Sequence, residues 1–140
     1  MVADSWRGPY RNLSWTTSCE GAIDSGEDPD LFRTPRGYHM LNHNTGPGST
    51  RLLFSPDGLR NWRMAEGGNA FNTTIAWRNG SITTVCRRQR PQIVFAKDGL
   101  PGWLWTGVGD GRDKDPNCFV HPTWTLVQQI GRPSDDPSFR

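Results

Sequence analysis

The chain has 140 residues, 15.8 kDa and a formal net charge of +2, so it holds one modest domain or a piece of a larger one. Its charges are of mixed sign, with no basic block of the kind that nucleic-acid recognition requires. Hydrophobic residues make up 34% while Gly, Pro and Trp number 16, 11 and 7, a composition suited to short strands joined by turns rather than to long amphipathic helices. No apolar run approaches the ~20 residues of a membrane span, so no membrane partner is expected.

Residues 1–22 read as the outer edge of a preceding structural unit. Gly8-Pro9 breaks any helix, and the flanking Trp6 and Tyr10 suggest a turn packed against something. With Asp4 and no apolar stretch, the N-terminus is not a signal peptide, leaving a cytosolic protein or one whose native N-terminus lies upstream. Strand signals begin near Asp30. Leu31-Phe32 leads into the turn Thr34-Pro35-Arg36-Gly37, and Tyr38 to Leu41 returns. A loop with Gly46-Pro47-Gly48 precedes a strand at Arg51 to Phe54. The following segment, Ser55-Pro56-Asp57-Gly58, resembles the Asp-box turn of sialidases and other propellers, a structural device over which Trp62 can fold back. Another strand, Thr73 to Trp77, closes at Asn79-Gly80, a strong hairpin signal. Strands are then expected at Ser81 to Cys86, Gln92 to Phe95, Gly102 to Val108 and Thr123 to Ile130, with a turn at Asp98-Gly99. The tail 133–140 lacks periodicity and is expected to be disordered.

One layout occurs twice. Glu27-Asp28-Pro29-Asp30-Leu31-Phe32 is echoed by Gln89-Arg90-Pro91-Gln92-Ile93-Val94, with Pro91 following Pro29 by 62 residues. Each copy runs polar-Pro-polar, then apolar, then a Gly-containing turn, then a second apolar run. About four short antiparallel strands per repeat is the pattern of a β-propeller blade. The expected fold is therefore all-β: about two propeller blades, at 23–80 and 81–132, plus the edge of a third at 1–22. That is a partial ring, and its exposed blade faces are prone to self-association. A small β-sandwich is the alternative.

In a propeller the polar residues that open each innermost strand converge at the channel mouth. Glu27-Asp28 and Arg88-Gln89-Arg90 both open such strands, and a proline there fixes φ where no ladder bond is needed. Converging carboxylates suggest glycoside hydrolysis; a solvated turn would also account for Glu27-Asp28. His39 and His43 are four residues apart on a strand, about 13 Å, too far to share one metal ion. Either is suited to a polar channel lining or to a structural role, and no cofactor is called for beyond an unidentified channel ion. Trp103 and Trp105 alternate on one strand face, open to inter-blade packing or to stacking on a sugar ring. Cys19, Cys86 and Cys118 have no CxxC spacing; at most one disulfide can form among them. Three sequons, at Asn12, Asn72 and Asn79, lean toward secretion without settling the compartment.

Six short motifs carry a family resemblance: Trp6-Arg7-Gly8-Pro9, Glu27-Asp28-Pro29, Arg36-Gly37-Tyr38-His39, Gly67-Gly68-Asn69-Ala70-Phe71, Arg88-Gln89-Arg90-Pro91-Gln92 and Trp124-Thr125-Leu126-Val127. In this order they resemble the C-terminal part of five-bladed propellers of the glycoside hydrolase family 43 type, over nearly all of residues 2–131. The resemblance implies an oligo- or polysaccharide partner and three catalytic carboxylates. Asp28 matches the one that tunes the acid's pKa and orients substrate. Gln89 stands at the general-acid position, where the related pattern is Arg-Glu-Arg-Pro. The base is expected ahead of residue 1, and Asn69 replaces a histidine. Glu27, His39, Asn69, Arg88, Arg90 and Trp105 fall where substrate contacts are expected. An amide cannot supply the proton of a general acid, a role worth ~10²–10⁴-fold, though it can hydrogen-bond a sugar hydroxyl. Whether the chain is an enzyme therefore stays open on the sequence. The expected function is a carbohydrate-active propeller fragment, incomplete or degenerate as a glycosidase. The alternative is a non-catalytic carbohydrate-binding or interaction module.

Overall fold

The computed structural model describes residues 3–11, 26–44, 50–66, 69–109, 118 and 122–130. Among them the protein is all-β and antiparallel, with no helix. Among the described residues no helix is long and apolar enough to cross a membrane. The expectations for Asn12, Cys19, the Gly67-Gly68 pair and the tail 133–140 lie outside the described residues.

The first sheet is a four-stranded meander of β1 (Gly26–Thr34), β2 (Gly37–Asn44), β3 (Thr50–Ser55) and β4 (Arg63–Met64). Pro35-Arg36 makes the tight turn between β1 and β2. There Arg36 N–H donates to Thr34 Oγ1, and Gly37 takes φ +139° where a Cβ would meet the Ser55 carbonyl at 2.7 Å. The Asp57 turn closes the sheet as expected: its carboxylate accepts the N–H groups of Leu59 and Arg60 and the Ser55 hydroxyl. Those backbone N–H groups, Arg60 first, hold the Asp57 carboxyl below its usual range. Trp62 folds back and is buried against Leu53, beside Tyr38 and Met40.

The second sheet is a meander of β7 (Arg87–Phe95), β8 (Pro101–Gly109) and β9 (Thr123–Gln129). Between the two sheets, β5 (Thr74–Ala76) and β6 (Ile82–Thr84) form a separate hairpin. Its tip is Asn79-Gly80, so the expected division at 80/81 falls inside it. Ile75 and Val85 carry it onto Val108 and Leu126 of the second sheet, with Trp124 packed alongside. Near the N-terminus the expected turn folds on itself, Tyr10 Oη donating to the Trp6 carbonyl, and Trp6 itself is exposed.

The sheets meet through β1, β2 and β7. Asp30 Oδ2 accepts the backbone N–H of Ile93 at 2.6 Å, and Phe32 packs edge-on against Phe95 with ring centroids 6.1 Å apart. Because side chains alternate along a strand, this contact defines two faces for each sheet. The first sheet turns Asp30, Phe32, His39 and Leu41 toward its neighbour. The second turns Ile93 and Phe95 toward the first and leaves Val94, Trp103, Trp105 and Val127 on its far side.

Candidate functional site

The site is built by the same irregularity in two strands. Proline has no N–H to place in a ladder, and both strands absorb it as a β-bulge. In β1 the register runs from Glu27 opposite His43 to Asp30 opposite Leu41. In β7 it runs from Gln89 opposite Gly107 to Gln92 opposite Trp105. In each case two residues face one across the ladder, Asp28-Pro29 in the first copy and Arg90-Pro91 in the second. The residue before each proline is left-handed, Asp28 at φ +49° and Arg90 at φ +53°. For a residue with a Cβ this conformation costs about 1–2 kcal/mol, and neither is glycine. The bulge re-aims the side chain it carries. Packing of β1 on β7 then brings the re-aimed pair together, Arg90 Nε lying 3.8 Å from Asp28 Oδ2.

His43 completes the cluster. Its imidazole is 4% exposed, with Nε2 3.4 Å from Glu27 Oε2 and Nδ1 3.5 Å from Asp28 Oδ2. These distances are long for hydrogen bonds, and Nδ1 has no hydrogen-bond partner. Glu27, Asp28 and His43 each offer a ligand atom, all within 4.8 Å of one another, so the trio could hold a cation as well as a polar ligand. The carboxylates stand open to solvent above the buried ring. Sequence reasoning named Glu27 and Asp28 but did not bring His43 to them. The signal was available: counting outward from the Pro35-Arg36 turn sets position 43 opposite position 28, and the bulge shifts its ladder partner to Glu27.

Gln89 and Arg90 border a cavity of about 300 Å³, with Arg87, Gly107, Trp124 and Thr125 on its other sides. Cys118 reaches its rim from the long connection between β8 and β9 and pairs with Cys86, Cα atoms 5.8 Å apart. This is the one disulfide the cysteine count allows.

Three residues expected beside Asp28 and Gln89, namely Arg88, His39 and Asn69, lie elsewhere, whereas Trp105 neighbours Gln89. Arg88 points to the opposite face of β7, because alternation separates it from Gln89. It is buried, donating to Thr106 Oγ1 (3.1 Å), the Asn72 carbonyl (3.3 Å) and Gln128 Oε1, with its guanidinium 4.5 Å from the Phe71 ring centroid. Burial draws its pKa down to about 10. Its surroundings are those of a structural cation, not a substrate contact. His39 lies at the turn end of the β1–β2 pair, opposite Phe32 rather than Glu27. It stacks on Phe32, hydrogen-bonds Thr34 Oγ1 at 3.0 Å, and lines a different cavity with Arg36, Phe54 and Arg63. Burial first, then the Arg36 charge, holds its pKa below the usual histidine value. Asn69 is exposed on the connection between β4 and β5, outside the contacts joining Glu27, Asp28, His43 and Arg90. Trp105 shares a face with Gln89, one ladder step along the sheet, and is 42% exposed.

Fold and site together define an antiparallel all-β protein with a repeated bulged strand and a carboxylate–imidazole–guanidinium cluster where the two copies meet. Over 75 residues the chain is 33% identical to the "Transposable element activator uncharacterized 23 kDa protein" of Zea mays, a stretch covering 54% of this chain and 33% of that protein. The chain thus spans about a third of the length of that curated relative. No family model and no solved structure matches it.

Proposed function

We propose that this chain is part of a carbohydrate-active β-propeller resembling glycoside hydrolase family 43, and that its site holds a sugar without the means to cleave it. The observation that carries this reading is the meeting of two equivalent bulged strand starts, with Asp28 3.8 Å from Arg90 and Gln89 next to it on the rim of a cavity. Carboxylate, amide and guanidinium are the groups that bind vicinal hydroxyls: Asp28 accepts, Arg90 donates, and Gln89 does both. Hydrolysis needs a protonated acid at the leaving oxygen. Gln89 holds no such proton at neutral pH, and Glu27 and Asp28 both lean on His43 rather than facing each other across a cleft.

Titration with arabino- and xylo-oligosaccharides, followed by Trp fluorescence, tests this, since Trp124 lines the same cavity. Saturable quenching that disappears in Asp28→Ala is expected, with no turnover of aryl-glycosides. A flat response across both sugar series overturns the carbohydrate reading. Turnover by the unmodified chain overturns the role given to Gln89, and activity gained only in Gln89→Glu marks a degenerate enzyme.

A further inference from the structure

The cavity that His39 lines is separate from the one beside Gln89. It measures about 500 Å³ and is built by the first sheet and the turn between β1 and β2. Phe32, His39, Phe54 and Arg63 are successive ladder partners from β1 across to β4, so they lie on one face of that sheet. The second sheet covers the Phe32 end of this rung, where Phe95 packs, while the Phe54–Arg63 end borders the cavity. Arg36 reaches the same place from the turn. Its guanidinium carbon lies 6.0 Å from the Phe54 ring centroid, and that of Arg63 lies 5.5 Å from it. Leu52, two residues before Phe54 on β3, adds to the apolar wall.

The charges here are out of balance. Among the described residues neither Arg36 nor Arg63 has a carboxylate within ion-pair distance, and Glu66, on the same cavity wall, pairs with neither. Two like charges gathered at one ring repel each other, and contact with the ring face offsets only part of that. The excess reaches the nearest titratable group, since the Arg36 charge, after burial, holds the His39 pKa down. A guanidinium matches a phosphate or carboxylate through two parallel N–H donors. Two guanidiniums suit a dianion, and a phosphomonoester carries about −1.5 to −2 charge at pH 7 where a carboxylate carries one. We propose that this cavity is a second binding site, which takes a small phosphomonoester with an apolar body: Arg36 and Arg63 hold the phosphate, and Phe54 and Leu52 face the organic part. The proposal is independent of the sugar-binding reading, whose residues lie at the opposite end of β1 and β2.

Isothermal titration calorimetry of the full chain with phenyl phosphate, inorganic phosphate and benzoate is the test. Phenyl phosphate is expected to bind about tenfold tighter than inorganic phosphate, because its ring meets the apolar wall. Arg36→Gln and Arg63→Gln should each weaken it by about tenfold or more, and the double substitution should abolish it. Arg90→Gln, which alters the other cavity, should leave it unchanged. The His39 ring signals in NMR should shift with phenyl phosphate in the parent and stay still in the double variant. Both arginines are exposed, so circular dichroism and melting of the variants should match the parent. If Arg36→Gln disturbs the turn, Arg63→Gln and the His39 signals carry the test. The absence of binding by both phosphates overturns the proposal. So does binding that survives the double substitution or is lost in Arg90→Gln, which would place the anion beside Gln89. Benzoate binding as tightly as phenyl phosphate overturns the dianion, and equal affinity for the two phosphates overturns the apolar body.

Discussion

The openings of β1 and β7 share a backbone and differ in almost every side chain. Both place a left-handed residue before a proline inside a bulge, at equivalent rungs of the ladder. In β1 that residue is Asp28, backed by Glu27 and a buried histidine; in β7 it is Arg90, next to an amide. The inward-facing position preceding the bulge differs as much. Gly26 in the first copy leaves room for the side chain of Asn42, whereas Arg88 in the second fills that space and reaches Thr106, the counterpart of Asn42. Shape is held by proline and bulge, which constrain only the main chain, so the exposed residues are free to become a complementary acid–base pair.

The largest effect should come from Arg88→Leu. It strips a buried donor from Thr106, Asn72 and Gln128 at once and should destabilise the protein by about 3 kcal/mol or more, measured by urea unfolding. A cost below about 0.5 kcal/mol would show instead that Arg88 is an exposed ligand contact.

Glycine at the two bulges probes the shared backbone more finely. Arg90→Gly removes the steric cost of the left-handed conformation and loses only an exposed pair worth about 0–1 kcal/mol, so stability should hold or rise by a few tenths. Asp28→Gly relieves the same conformation but withdraws a carboxylate from His43. It should retain the fold and lose sugar-dependent quenching. If both substitutions unfold the protein, the two bulges are not interchangeable in the way their dihedral angles indicate.

The smallest effect concerns His39. His39 has a folded-state pKa below its reference of 6.5, so between the two values the unfolded chain binds more protons. Its contribution is fully present above pH 6.5 and is lost as pH falls through that window toward the folded pKa. Thermal melts of His39→Gln should show a shallower loss of stability below pH 6.5 than the parent. An unchanged slope would assign the acid sensitivity to another group.

Much of the strand layout could be read from turn chemistry. The Thr34–Gly37, Asp57-Gly58, Asn79-Gly80 and Asp98-Gly99 signals all fall between strands that the structure contains. Strand lengths were less legible. Stopping at Pro29 and Pro91 trims β1 and β7 to their apolar halves, whereas each runs nine residues because a bulge carries the proline through the ladder. The separation of Arg88 from Gln89 and Arg90 was hidden for the same reason: three adjacent polar residues look alike until strand alternation and a bulge assign each to a face.

By itself, then, the sequence determined an antiparallel all-β protein with a 62-residue internal repeat, a carboxylate-bearing Glu27-Asp28-Pro29 and an amide at Gln89, since turn residues, strand alternation and side-chain identity are local properties. Tertiary structure alone decided that Asp28 meets Arg90, that His43 lies beneath both carboxylates, that Arg88 is interior, and that Trp103 and Trp105 stand exposed on the second sheet. Those outcomes depend on how β1 packs against β7 across more than sixty residues of chain, and no local rule of propensity or spacing carries that distance.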